Sequence, residues 1–135
     1  MRDKRSGSGP KPVLVYDGDC AFCTSCMRVV ERIGVDAHLV AWQFADLPRL
    51  GLTENAASGA LQWIEPDGRS RAGHEAVAAL LIRAGGLWAI PGRIILLPGI
   101  SPVAARLYRL IADNRHHLPG GTPACVLPPD QRPGR

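Results

Sequence analysis

The sequence predicts an α/β fold: a mixed four-stranded sheet flanked by helices, with a C-terminal helical addition. Three observations carry that expectation. A β-prone apolar run, Val13-Leu14-Val15-Tyr16, is broken by the turn residues Asp17-Gly18-Asp19. A helical pattern with Cys20 and Cys23 at its head follows at once. Strand-like and helix-like segments then alternate as far as about residue 113.

Each element has its own warrant. From residue 20 or 21 to 33, Cys23, Met27, Val30 and Ile33 or Gly34 fall on one stripe with Cys26 beside it, whereas Arg28, Glu31 and Arg32 fall elsewhere. Asp19 is the expected N-cap and Gly34 the expected stop. Residues 37–42 (AHLVAW) read as a second strand, and residues 46–52 as a short helix around Pro48. Residues 60–65 (ALQWIE) read as a third strand, Asp67-Gly68 as a hairpin turn and residues 70–72 as a fourth strand. Residues 74–84 are helical, with Val77, Leu80 and Leu81 on one face, and Gly85-Gly86 ends them. Residues 91–97 suggest a further short helix. Ser101-Pro102 reads as a helix start with Ser101 as cap, and Val103, Leu107, Leu110 and Ile111 form the apolar stripe of that helix. Burial within the monomer is expected for residues 87–100, and a core or core-edge place for Trp42, Trp63 and Trp88. The order β-α-β-α-β-β-α, with a dithiol just after the first strand, is the plan of a thioredoxin-like fold. Residues 1–12, rich in Gly, Pro, Ser and charge, read as a disordered leader, residues 13–128 as one domain and residues 129–135 as a flexible tail.

Composition narrows the class. With 135 residues, 46% hydrophobic and 21% charged, the chain suits one soluble domain with its own core. The formal charge of +4 is mild and its interior arginines are scattered, which argues against a nucleic-acid-binding face. No apolar run of about 7–15 residues follows the basic start, as a secretion signal would require. The most apolar stretch, residues 87–100, is interrupted by Pro91, Arg93 and Pro98 and falls short of the roughly 20 residues of a spanning helix. The expectation is a cytoplasmic protein without a membrane span, whose cysteines are reactive rather than structural.

A Cys-x-x-Cys at a helix start has a definite chemistry. Unpaired backbone N–H groups point outward there, with about half a positive charge of helix dipole behind them. That field favours a thiolate, and in such motifs the thiol pKa falls from about 8.5 to roughly 3.5–7.5. Cys20 is therefore the expected nucleophile, reachable from solvent, and Cys23, one turn on, the resolving thiol. The partner is a protein or small-molecule disulfide or thiol; direction is open, since such pairs span about −270 to −120 mV. No cofactor is called for. Asp17 reads either as a proton acceptor for Cys23 or as a solvated turn residue, and Asp19 either opposes the thiolate or caps the helix. Phe22 is placed to pack over the motif and limit access.

A metal site is the competing reading, with Cys20, Cys23, Cys26 and Cys125 as ligands of zinc or an iron–sulfur cluster in a non-enzymatic module. An iron–sulfur run needs a fourth cysteine after three intervening residues and then a proline, and Val30 and Glu31 occupy those two positions. A zinc site would want a second Cys pair or a spaced His pair, but His116 and His117 are adjacent. Cys26 reads as a half-buried small apolar side chain. Cys125 either folds back as a second resolving thiol or is a loop cysteine, and His74 is either a base near the dithiol or a capping residue.

Tyr16-Asp17-Gly18-Asp19-Cys20-Ala21-Phe22-Cys23 resembles the opening signature of the DCC family of thiol-disulfide oxidoreductases. The resemblance extends through Asp67-Gly68, Gly73-His74-Glu75-Ala76, Tyr108, Ala112-Asp113-Asn114-Arg115, Gly120 and Cys125, and covers about residues 13–128. It implies a thioredoxin-like fold, redox activity at Cys20 and Cys23, and a part for Arg115 and Cys125. One departure from thioredoxins is plain: Asn55-Ala56-Ala57-Ser58-Gly59, before the third strand, lacks the proline that thioredoxins set against the dithiol.

Overall fold

The computed structural model describes residues 10–115, 123, 125 and 127–131. Four short strands form one sheet in the order β2-β1-β3-β4, with β1 Val13–Tyr16, β2 His38–Ala41, β3 Gln62–Ile64 and β4 Ser70–Ala72. Strands β1 and β2 run parallel, with Tyr16 opposite Ala41; β1 and β3 run antiparallel, with Leu14 opposite Trp63; β3 and β4 form the hairpin. The mixed sheet and its order agree with the thioredoxin-like expectation.

Strand periodicity splits the core in two. Leu14 and Tyr16 point to one face, where they pack with Met27, Val30, Leu39, Trp63, Ala76 and Leu80. Met27 and Val30 come from helix α1 (Ala21–Ile33), and Ala76 and Leu80 from helix α4 (His74–Ala84). Val15 points to the other face, against Leu47, Ala57 and Ile64. Leu47 belongs to helix α2 (Leu47–Leu50) and Ala57 to helix α3 (Glu54–Gly59). Each large apolar side chain so buried contributes roughly 1.5–3 kcal/mol. Pro12, assigned to the leader from sequence, is fully buried, and its carbonyl accepts the His38 N–H at 2.9 Å.

Helix ends differ from expectation in three places. Cys20, not Asp19, is the N-cap of α1: its Sγ accepts the Cys23 N–H, while the Asp19 N–H donates to the Asp17 carboxylate. Gly34 does end that helix, in the left-handed conformation that glycine tolerates. Helix α3 was not foreseen, because Glu54–Gly59 carries no apolar stripe; Thr53 caps it, with the Ala56 N–H donating to its hydroxyl. The third difference lies at helix α6 (Ser101–Asp113), whose cap residue is Ile100. Ser101 makes no cap and instead pairs its hydroxyl with His74 Nε2 at 2.9 Å.

Helix α5 (Ala89–Ile95) packs closely on α4, with Gly92 buried at the crossing. The segment around it is not buried as expected. Leu87, Trp88, Ile90, Ile94, Leu97 and Ile100 are all exposed, and so are Val103, Leu107, Leu110 and Ile111 of α6. Helix α6 seats a different face on the protein, where Ala104, Ala105, Tyr108 and Ala112 are half-buried. Its apolar stripe therefore points to solvent, because small residues and Tyr108 allow closer seating than the leucines would. No helix among the described residues is long and apolar enough to cross a membrane.

Candidate active site

The turn between β1 and α1 is held from four directions. Its own bond runs from the Cys20 N–H to the Asp17 carbonyl at 3.2 Å. From the end of the neighbouring parallel strand comes Gln43, whose Oε1 accepts the Gly18 N–H at 3.0 Å and whose Nε2 donates to Asp17 Oδ1 at 2.9 Å. After α6, Arg115 pairs with Asp17 Oδ2 at 3.1 Å and donates to the Ser58 carbonyl at 2.7 Å. From the C-terminal segment, the Cys125 N–H donates to the Gly18 carbonyl at 3.1 Å. Asp17 is buried, so a charge on it needs these partners.

The dithiol occupies the first turn of α1. The Cys23 N–H lies 3.2 Å from Cys20 Sγ, a helix-terminal donor aimed at the leading sulfur. Thr24 anchors the same residue, since both its N–H and its hydroxyl donate to the Cys20 carbonyl at 3.0 Å. Cys20 is 0% exposed, which overturns the expectation of a solvent-reachable leading sulfur. Its role as helix cap turns it inward. All four cysteines are free thiols.

Cys23 and Cys26 instead face an apolar cleft of about 340 Å³ between α1, α4 and α6. Phe22, Leu61, Val77, Leu81 and Tyr108 line its walls, and Asp17 and Arg115 reach it at the dithiol end. Burial pushes the Cys23 thiol well above its ordinary value, and the hydrogen bond it makes to Cys20 adds to that. Burial likewise raises Cys26 and Tyr108. Tyr108 accepts the Leu61 N–H on its hydroxyl at 2.9 Å, tying α6 to the start of β3. Ala60 and Leu61, which follow the proline-free stretch Asn55-Ala56-Ala57-Ser58-Gly59, line the cleft.

The structure gathers Asp17, Cys20, Phe22, Cys23, Cys26 and Arg115, with the backbone of Cys125, at one end of the sheet. Asp19 is exposed and apart from the cleft wall, and His74 is held by Ser101 rather than aimed at a sulfur. His116, His117 and Gly120 lie outside the described residues. Among the described residues no group of three or more His, Cys, Asp or Glu side chains is placed to hold a metal ion. Trp63 is core, but Trp88 is exposed and not core-edge.

Gln43, Ser58 and the hydroxyl of Tyr108 were missed as parts of the site. A signal for Gln43 existed: parallel strands end side by side, so residues just after the second strand face the turn after the first. Nothing local marks Ser58 or Tyr108, which arrive through the packing of α3 and α6.

Residues 14–121 match the family model described as DCC1-like thiol-disulfide oxidoreductase. No curated protein and no solved structure compared with the chain matches it.

Proposed function

The chain belongs to the DCC1-like thiol-disulfide oxidoreductase family, and from that premise we propose that it exchanges dithiol for disulfide through Cys20 and Cys23. The observation that carries this reading is the Cys20 sulfur at the N-terminus of α1, receiving the Cys23 N–H, with Cys23 on the wall of an apolar cleft. In the reducing direction the Cys20 thiolate attacks one sulfur of a substrate disulfide. A Cys20–substrate bond forms, the substrate S–S bond breaks, and the first substrate thiolate departs. Cys23 then yields its proton to that leaving group and attacks Cys20 Sγ. The second substrate sulfur is released as a thiolate that takes its proton from solvent, two electrons have passed to the substrate, and the Cys20–Cys23 disulfide remains. The oxidising direction is the reverse.

The raised Cys23 suits the resolving role, because a protonated thiol does not compete in the first attack. Burial of Cys20 means that a local opening of the turn precedes that attack. Asp17 acts as a positioning residue: both its oxygens are engaged, and it fixes the turn through Gln43 and Arg115. The cleft suits a protein or small-molecule disulfide with an apolar flank beside its sulfurs. Turnover of insulin or an aromatic disulfide tests the reading. Cys20→Ser should abolish turnover, and Cys23→Ser should trap a mixed disulfide at Cys20. Full activity in Cys20→Ser would overturn it.

A further inference from the structure

Helices α5 and α6 turn apolar side chains outward, and their charge is mostly basic, with Arg93, Arg106 and Arg109 against Asp113 at the last residue of α6. Leu87 is 83% exposed, Val103 63% and Leu110 61%, with Leu107 and Ile90 both 56%. A solvent-facing apolar set of this extent marks an interaction surface. Between Glu75 and Asp113 the chain has no acidic residue, while Arg93, Arg106 and Arg109 are exposed there and form no ion pair with a described residue. On α6, at 3.6 residues per turn, Val103, Leu107 and Leu110 share one face and Arg106 stands on its flank.

We propose that the outward apolar sides of α5 and α6 dock in the plane of a bilayer surface that contains anionic lipid. Charge complementarity decides among occupants. A second copy, joined about a twofold axis, would bring this excess of arginine over carboxylate against itself. An anionic headgroup layer pairs with those arginines while its acyl boundary takes up the leucines and Trp88, the arrangement of an interfacial amphipathic helix. The helices are too short to span, so they lie on the surface. Ile111 belongs both to the exposed set and to the cleft wall, so docking sets the cleft at the lipid boundary.

The test is co-sedimentation of the full chain with unilamellar vesicles of phosphatidylcholine alone, or mixed with phosphatidylglycerol. Binding is expected only to the mixed vesicles, and is expected to weaken with salt. Leu107→Glu combined with Leu110→Glu should lower partitioning by on the order of tenfold or more. Arg93→Ser and Arg106→Ser should each lower it roughly fivefold. Unchanged far-ultraviolet circular dichroism and dithiol turnover in lipid-free buffer would show that the folded protein is being read. Failure to bind anionic vesicles, unchanged binding by the leucine variants, or a solution dimer that Leu107→Glu dissociates would overturn the proposal. A dead dithiol with intact vesicle binding would leave it standing, since it does not rest on the redox reading.

Discussion

Asp17 and Arg115 form an ion pair at 3.1 Å that ties the end of β1 to the segment after the last long helix. Both side chains are largely buried, so the pair is shielded from solvent and the guanidinium is already committed to the Ser58 carbonyl as well. The dithiol turn is thus fixed by a residue from the far end of the described chain.

Breaking that pair should be felt in stability and in exchange. Arg115→Leu leaves the Asp17 carboxylate buried beside only Gln43 and a backbone amide, and should cost about 3 kcal/mol by urea unfolding. Arg115→Lys should recover only part, because one guanidinium nitrogen serves both Asp17 and Ser58 and the shorter lysine stem sets its ammonium back from them. If both variants unfold with the wild type, Arg115 does not anchor the turn.

Stability should fall as the solution becomes alkaline. Burial raises the Cys23 and Cys26 thiols above their ordinary 9.0 and Tyr108 above its ordinary 10.0. Above about pH 9 the unfolded chain therefore releases protons that the folded chain retains, and the slope of unfolding free energy with pH is negative. The contribution is whole below pH 9 and is lost as pH climbs from there towards the raised folded values. Cys23→Ser should flatten the slope measured by chemical denaturation between pH 8.5 and 10.5, a range set about the ordinary values. A slope unchanged by Cys23→Ser would contradict the assigned burial.

Two glycines should respond oppositely to alanine. A Cβ at Gly92 would meet the Ala78 carbonyl oxygen at 2.9 Å and Leu81 and Ile82 at 3.0 Å. The backbone oxygen cannot swing away, so overpacking of about 1–3 kcal/mol exceeds the roughly 1 kcal/mol gain in helix propensity. Gly92→Ala should lower the thermal midpoint. Gly59→Ala has nothing within 4 Å and should leave it unchanged or raise it slightly.

Tyr108→Phe should destabilise by about 1–2 kcal/mol, because the part-buried Leu61 N–H loses its acceptor. Faster hydrogen exchange at Leu61 in the variant is the direct check. Protection equal to wild type would mean that the hydroxyl contributes nothing there.

How far the sequence reveals the molecule depends on whether a signal is local. Val13–Tyr16, Ser70–Ala72 and His74–Ala84 are legible because β-prone residues, a DG turn and a 3.6-residue period each mark their own segment. Glu54–Gly59 is hidden, since its composition is that of a loop and only the Thr53 cap hints at a helix. The stripe on α6 is legible but its direction is not: periodicity defines a face, and tertiary packing decided that Tyr108 and the alanines go inward. At the site, the Cys-x-x-Cys spacing locates the dithiol and the helix start. It does not reveal that Cys20 replaces Asp19 as the cap and is buried by doing so. Arg115 emerged only through the family resemblance, and Gln43 through neither route.

Disulfide mapping by mass spectrometry across a glutathione redox titration tests the central claim most directly. The account predicts one reversible two-electron transition in which Cys20 and Cys23 join, with Cys26 and Cys125 remaining alkylatable throughout. A first disulfide between Cys23 and Cys26, one involving Cys125, or no reversible disulfide at all would contradict it.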